Sequence, residues 1–401
     1  MNILFLTISR IDDISARDIY TDLMRKFRDE GHQVFIAAPV ERRYKQSTVL
    51  LEQKGVHILK IWTFNLQKTN ILEKGIGTVL IEYQFLAAVR KYFSKIKFDL
   101  VLYSTPPITF TKVVKAIKKT DAAESYLLLK DIFPQNAVDL GMIKKNALIH
   151  RYFRAKETRM YAVSDHIGCM SPANVEYLCK NNPTVNPQIV EVNPNSIDPV
   201  KATLTKEDKI LTRRKYGIPV DKSVFIYGGN LGLPQGIDFL IEVLNANRNN
   251  PSVFFIVVGS GTEYPKIEKW FTLNRPANSI LLAGLPKPEY ENLVQACDVG
   301  MIFLDSRFTI PNYPCRLLSY LEYKMPILAA TDVNTDVGKN AEENGYGFWC
   351  ESGNLKSFND KIELISNNQE LVRKMGMAGY NYLVTNFTVD KSFSAIMKHL
   401  N

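Results

Sequence analysis

Three short stretches carry residues suited to holding a phosphate. The run Tyr227-Gly228-Gly229-Asn230-Leu231-Gly232-Leu233-Pro234-Gln235-Gly236 follows an apolar segment and precedes a helical pattern. Glycines let a backbone approach a ligand closely, and unpaired N–H groups at a helix start attract anions. Three glycines fall within five residues after Tyr227, more than a tight strand-to-helix turn needs, although such a turn is the plain alternative. Val258-Gly259-Ser260-Gly261 also follows an apolar segment. It is no complete dinucleotide fingerprint and reads more readily as a turn. In Ile310–Glu322, Pro311 and Pro314 precede an amphipathic pattern whose first turn holds Arg316. Arginine normally favours the other end of a helix. Beside an N-terminus it makes sense with an anion between, because its planar fork pairs with phosphate. An exposed arginine on a solvated turn is the alternative.

Two further loops are polar at strand ends. Lys130-Asp131-Ile132-Phe133-Pro134-Gln135-Asn136 places a carboxylate where it can meet a ligand or cap the next helix. Ser9-Arg10-Ile11-Asp12-Asp13 follows the first apolar run. Polar loops on a rigid sheet often carry function, and a solvated loop is the equal alternative. The five cysteines and five histidines are scattered, with no CxxC pair, so neither a metal site nor a disulfide framework is expected.

These residues need rigid elements behind them, and the chain supplies a repeating pattern. Ile3–Ile8 reads as a strand, Ile19–Glu30 as a helix and Val34–Ala38 as a strand. Leu80–Ile96 has helical spacing, and Leu100–Tyr103, Ser125–Leu129 and Ile167–Met170 read as strands. After a polar, lysine-rich stretch at about 198–222, read as a linker, the pattern restarts. Val224–Tyr227, Val253–Val258, Ile280–Leu282, Val299–Phe303 and Ile327–Ala330 are strands, and Gly236–Leu244 is a helix. Strand and helix in alternation predict parallel sheets covered on both faces. Ligands then belong at strand C-termini, facing a cleft between two such domains.

The chain has 401 residues, and at about 150 per domain that length suits two or three domains. Hydrophobic residues make up 46%, which excludes a disordered chain. The net charge of +9 is uneven: residues 1–198 carry 28 basic and 20 acidic side chains, +8, against 22 and 21 in the rest, +1. One half therefore suits an anionic partner, whether nucleic acid, a membrane surface or a phosphorylated substrate. No recognisable nucleic-acid motif accompanies the charge. No apolar run approaches the roughly 20 residues of a membrane span, and the N-terminus reads as a first strand rather than a signal peptide.

Together these segments resemble family 4 of the glycosyltransferases, retaining enzymes of the GT-B fold. The nearest likeness is to the bacterial subgroup that builds O-antigen and capsule repeats. The glycine run resembles that subgroup's GNLG..QG loop, Ser164–Pro172 its D.I..MSP segment, and Asn193–Asp198 its PN.ID segment. Asp131–Pro134 is similar to its D.(W/F)P, and Pro314–Tyr320 to its PSK(L)(F)(S/E)Y. Family members commonly hold the nucleotide diphosphate with an Arg and a Lys in the glycine loop, where Asn230 and Gln235 stand here. Their paired glutamates fall at Pro311 and Ser319, with Glu322 nearby.

The resemblance implies an α/β chain of two Rossmann-like, doubly wound domains facing a central cleft. Residues 1–198 would bind the acceptor, 199–388 the donor, and a C-terminal helix at about 389–401 would pack back on the first domain. The activity implied is transfer of a sugar, N-acetylated hexose or 6-deoxyhexose, from a nucleotide sugar of the UDP type to a polyprenyl diphosphate-linked saccharide. A decayed partner subunit and a nucleotide-sugar epimerase are the alternatives. Gly229, Asn230, Leu231, Gly232, Gln235, Gly259, Leu285, Pro286, Pro314, Cys315, Leu317, Ser319 and Glu322 would hold the donor. Arg316 would stabilise the leaving diphosphate, with Asp131 as base or positioner of the acceptor hydroxyl. Arg10, Asp12, Asp13 and Asn136 would meet the acceptor. Neither metal nor cofactor is expected. Two basic and aromatic stretches, Lys91, Tyr92, Phe93, Lys95, Lys97 and Lys144, Lys145, Arg151, Tyr152, Phe153, Arg154, suit peripheral contact with an anionic membrane from the cytoplasmic side.

Overall fold

Fully apolar runs of five or six residues form strands buried on both faces, the mark of a parallel sheet. In the computed structural model, which describes residues 1–66 and 71–400 (the side chains of residues 71, 72 and 74 excepted), such runs build two units. The first comprises Met1–Asp198 and Val389–Asn401, the second Pro199–Thr388. Asn401, the end of the expected C-terminal helix, lies outside the described residues.

The first unit contains β1 (Asn2–Leu6), β2 (Gln33–Glu41), β3 (Val49–Gln53), β4 (Val56–Thr63), β5 (Leu100–Ser104), β6 (Glu124–Leu129), β7 (His166–Cys169) and β8 (Val190–Val192). Their order is β3-β4-β2-β1-β5-β6-β7-β8, parallel except for β3 against β4. The order reverses between β1 and β5, so loops leaving those strands open a crevice at the C-terminal edge. β3 and β4 were not expected as strands. Their connection is the two-residue turn Lys54-Gly55, both at positive φ, a geometry that twists with the hairpin but lacks the usual Asn-Gly signature. The helix expected over Leu80–Ile96 runs instead from Ile71 to Tyr92, because its outward face stays apolar and hides the period.

The helix Val389–Met397 sets Val389 and Ile396 into the core of this unit with Phe5, Phe27 and Ile36. The Phe393 ring meets Phe27 edge-on, with centroids 4.9 Å apart. Each fully buried aliphatic side chain there is worth about 1.5–3 kcal/mol. Phe93, expected on a basic surface stretch, is instead buried against Phe35 and Phe98. Phe153 likewise turns inward to Phe133, with centroids 4.8 Å apart.

The second unit contains β9 (Ser223–Asn230), β10 (Val253–Ser260), β11 (Ser279–Ala283), β12 (Val299–Phe303), β13 (Ile327–Thr331) and β14 (Gly347–Glu351), all parallel, in the order β11-β10-β9-β12-β13-β14. The polar stretch 198–222 is not a bare linker. It holds the helix Lys206–Lys215, started by a reciprocal Thr205–Asp208 cap and docked by Arg213, whose Nη2 reaches both oxygens of Asp298 at 2.8 and 2.9 Å. That helix buries none of its residues, so it carries no apolar period to read.

Candidate active site

In the second unit the strand order reverses between β9 and β12. β12 pairs with β9 only through Val299 and Gly300, opposite Phe225 and Ile226, so the two strands part beyond Ile226. The expected glycine loop is the far end of β9 itself: Gly228, Gly229 and Asn230 stay in register with Val258, Gly259 and Ser260 of β10. The glycines are there for close approach. A Cβ on Gly259 would stand 1.8 Å from the Gly229 carbonyl oxygen, and one on Gly228 would meet the Tyr290 hydroxyl at 2.1 Å.

The helix Arg316–Glu322 closes over the parting strands. Gly300 lets the Tyr320 ring lie against β12, since a Cβ there would stand 2.2 Å from the ring. The Tyr320 hydroxyl fills the gap, accepting from Gly228 N–H and donating to the Ile226 carbonyl, each at 3.3 Å. Four residues earlier, one turn back on the same face, Arg316 lands over the end of β9. Its guanidinium carbon sits 4.2 Å above the Tyr227 ring centroid, a cation–π contact. Its Nη2 donates to Gln235 Oε1 at 2.6 Å and lies 3.7 Å from where Gly229 would carry a Cβ. Its Nη1 is buried without a hydrogen-bond partner among the described residues. Burial pushes the neighbouring Tyr290 phenol up to about 12, against the field of Arg316, so the surrounding ring hydroxyls remain neutral.

Beside Arg316 is a cavity of ≈ 570 Å³ lined by Gly228, Gly229, Asn230, Val258, Gly259, Ser260, Gly284, Leu285, Lys287, Tyr290, Cys315, Arg316 and Ser319. Among the residues expected to hold a donor, it gathers Gly229, Asn230, Gly259, Leu285, Cys315 and Ser319, with Arg316. Gln235 stands behind Arg316 as its partner. Gly232, Pro286 and Pro314 fall outside the lining. Leu231 and Leu317 are corrections, because both side chains are fully buried. Glu322 is another: it is buried, and its Oε1 accepts from Val200 N–H at 2.8 Å. The start of the helix Arg316–Glu322 offers little to an anion, since Leu317 and Leu318 N–H already donate to Pro314 and Cys315. Lys287 and Tyr290 were missed. Their only sequence signal was that they follow the Gly284-Leu285-Pro286 turn by one and four residues. Among the described residues, no group of three His, Cys, Asp or Glu could hold a metal ion.

The acceptor-side expectations fall on the C-terminal edge of the first sheet. Asp131 follows β6, and its N–H donates to Thr105 Oγ1 at 3.0 Å, beside the end of β5. Its carboxylate accepts the Asn136 amide at 2.8 and 3.0 Å and does not cap the helix Gln135–Asp139. Burial pushes that carboxyl up to about 6. Asn136 is spent on Asp131 and on the Ala137 N–H, so it positions Asp131 rather than a ligand. Arg10 and Asp12 pair at 2.6 Å and Lys60 joins Asp12 at 3.1 Å, while Asp13 accepts the Ser15 N–H. Burial would raise the Asp12 carboxyl, but the bonds from Arg10 and Lys60 hold it below its usual value.

Residues 208–382 match the family described as glycosyl transferases group 1. Over 285 residues the chain is 23% identical to a probable glycosyltransferase, WbjE, of Pseudomonas aeruginosa, covering 71% of this chain and 69% of that one. Among solved structures, sucrose-phosphate synthase of Thermosynechococcus elongatus superposes with a TM-score of 0.78 at 14% identity, over 100% of this chain and 99% of that one. HepE of Anabaena, in complex with UDP and glucose, gives 0.72 at 16%, over 100% and 99%.

Proposed function

We propose, on the premise that residues 208–382 form a glycosyl transferases group 1 domain, that this glycosyltransferase takes its sugar from a UDP-linked donor seated in the β9–β12 cavity. The observation that carries the reading is Arg316: one guanidinium nitrogen is anchored on Gln235, the other is buried and unpaired, and the glycine end of β9 leaves room beneath it. A buried cationic donor without a partner costs stability unless an anion completes it. A diphosphate fits that need. The HepE complexes with UDP and with UDP and glucose support a UDP sugar, and the name of the Pseudomonas relative supports glycosyl transfer.

The sugar is an N-acetylated hexose or 6-deoxyhexose, and the acceptor is a polyprenyl diphosphate-linked saccharide of bacterial surface polysaccharide synthesis, O-antigen or capsule, met at the cytoplasmic face of the membrane. Transfer retains anomeric configuration. The bond from the anomeric carbon to the diphosphate breaks, the acceptor oxygen attacks the same face, and its proton passes to the departing diphosphate. Arg316 Nη1 stabilises the charge that grows on that diphosphate, and Lys287 adds a second positive charge to the lining. Asp131, held by Asn136, is the acceptor-side group that orients the hydroxyl.

The test is calorimetric titration of UDP, ADP and GDP, followed by assay of UDP sugars with a lipid-linked acceptor. Binding of UDP that weakens in Arg316→Ala supports the reading. Absence of binding by all three nucleotides overturns it, and product formed from a UDP sugar without any acceptor would make the protein an epimerase instead.

A further inference from the structure

A nucleotide brings two chemically different parts to a site. Its diphosphate needs positive charge, whereas the 2′- and 3′-hydroxyls of its ribose donate hydrogen bonds. In the dinucleotide-binding domains of the doubly wound class, a carboxylate takes the 2′-hydroxyl. An ionised acceptor bonds about twice as strongly as a neutral one. Where a site is built around a substrate hydroxyl, the analogue lacking it is rejected by about 10⁴–10⁵-fold, because the buried partner is left unpaired.

The β9–β12 cavity makes the first provision and not the second. Among the described residues that line it, the charged ones are the two cations Lys287 and Arg316, and every other is neutral. The acids of the two helices beside it are engaged elsewhere. In the helix Lys287–Gln295, Glu289 pairs with Lys215, and Glu291 stands 3.9 Å from Lys287. In the helix Arg316–Glu322 the one acid is Glu322, buried and accepting Val200 N–H at 2.8 Å. The Tyr290 and Tyr320 hydroxyls are hydrogen-bonded to each other. Ser319 is the polar side chain that this second helix offers beyond Arg316. It lies in the lining, half-buried, three residues past Arg316 and so about 4.5 Å further along the axis. A ribose is joined directly to the diphosphate, so a nucleotide held by Arg316 sets its ribose within about one such step of it.

We infer that this cavity does not select ribose, that 2′-deoxynucleoside diphosphate sugars are therefore donors beside ribonucleoside ones, and that Ser319 sets this tolerance. A serine hydroxyl is short and neutral. When the 2′-hydroxyl is absent it exchanges one weak partner for water and leaves no buried charge unpaired. A glutamate at the same place would reach the diol with two charged oxygens. The inference rests on the reading of the cavity as a nucleotide-sugar site and widens the donor class given there.

The experiment is calorimetric titration of the full chain with UDP and with 2′-deoxyuridine diphosphate, which differ by one hydroxyl. The two dissociation constants are expected to agree within about fivefold, the typical worth of one neutral hydrogen bond. A larger preference for UDP overturns the inference. Ser319→Glu should open a preference for UDP of about tenfold or more. The ratio is read rather than either affinity, since a carboxylate one turn from Arg316 weakens the hold on both diphosphates alike. An unchanged ratio in a folded Ser319→Glu removes Ser319 from the ribose and also overturns the inference; if that variant does not fold, the wild-type ratio decides alone. Absence of binding by both nucleotides is a different result. It strikes the proposed donor and this inference with it, whereas a strong wild-type preference for UDP keeps the donor and strikes this inference only.

Discussion

Arg316 and Gln235 meet at 2.6 Å, a neutral amide anchoring a buried guanidinium that keeps its second nitrogen unspent. A carboxylate at the same place would bind more tightly and would cancel the charge. The Gln235 carbonyl fixes the guanidinium's orientation over Tyr227 and leaves its positive charge for a ligand.

Replacement of that arginine is therefore expected to cost most. Arg316→Ala should lower the transfer rate about 10²–10³-fold, the typical loss of one preorganised donor to a developing oxyanion. Arg316→Lys should recover only part of it, since a point charge cannot hold Gln235 and phosphate in one fork. Steady-state rates with the UDP sugar check both.

Gln235→Glu should be more harmful to nucleotide binding than Gln235→Leu. The carboxylate would neutralise Arg316, and UDP affinity should fall roughly tenfold or more. Calorimetry on the three proteins decides it, and equal affinity in wild type and Gln235→Glu would remove Arg316 from the phosphate site.

The two glycines Gly259 and Gly75 should respond with opposite sign. Gly259→Ala places a methyl 1.8 Å from a backbone oxygen of β9 and should destabilise by about 1–3 kcal/mol, narrowing the cavity floor. Gly75, inside the helix Ile71–Tyr92, would bring its Cβ near nothing within 4 Å, so Gly75→Ala should stabilise by about 1 kcal/mol. Denaturant midpoints measured together give the comparison.

Asp131 links stability to pH. Burial raises its carboxyl from 3.8 to about 6, so the folded chain binds this proton more tightly than the unfolded chain. The stability gained from the protonated form is complete below about pH 4 and is lost as pH rises through about 6. Asp131→Asn should therefore raise the melting temperature relative to wild type more at pH 7 than at pH 4. Thermal unfolding of both proteins at the two values is the measurement, and an equal offset at both would place the carboxyl in solvent.

Much of the architecture was legible because buried parallel strands are written as short apolar runs. Val224–Tyr227, Val253–Val258 and Val299–Phe303 each declare themselves without reference to a partner. The hairpin at Lys54-Gly55 and the helix Lys206–Lys215 did not. The first pairs along a partly exposed edge, and the second is held by a cap and Arg213 rather than by an apolar face. The outward stripe of Ile71–Tyr92 blurred its own period.

At the site, composition marked glycines after β9 and an arginine near Pro314, because close approach and anion pairing need those residue types. Which atoms remain open was beyond it. Leu231 and Leu317 carry the same motif spacing as Gly229 and Arg316 but point into the core, and Glu322 is consumed by Val200. Lys287 and Tyr290 join the lining from another helix, and Gln235 reaches Arg316 across eighty-one positions. The sequence by itself determined the alternation of strands and helices and the residue types at their ends, since burial on both faces admits only apolar runs and close approach admits only glycine. The tertiary structure alone decided which side chains share the cavity, because the parting of β9 from β12 and the Tyr320 contact at Gly300 set where Arg316 lands.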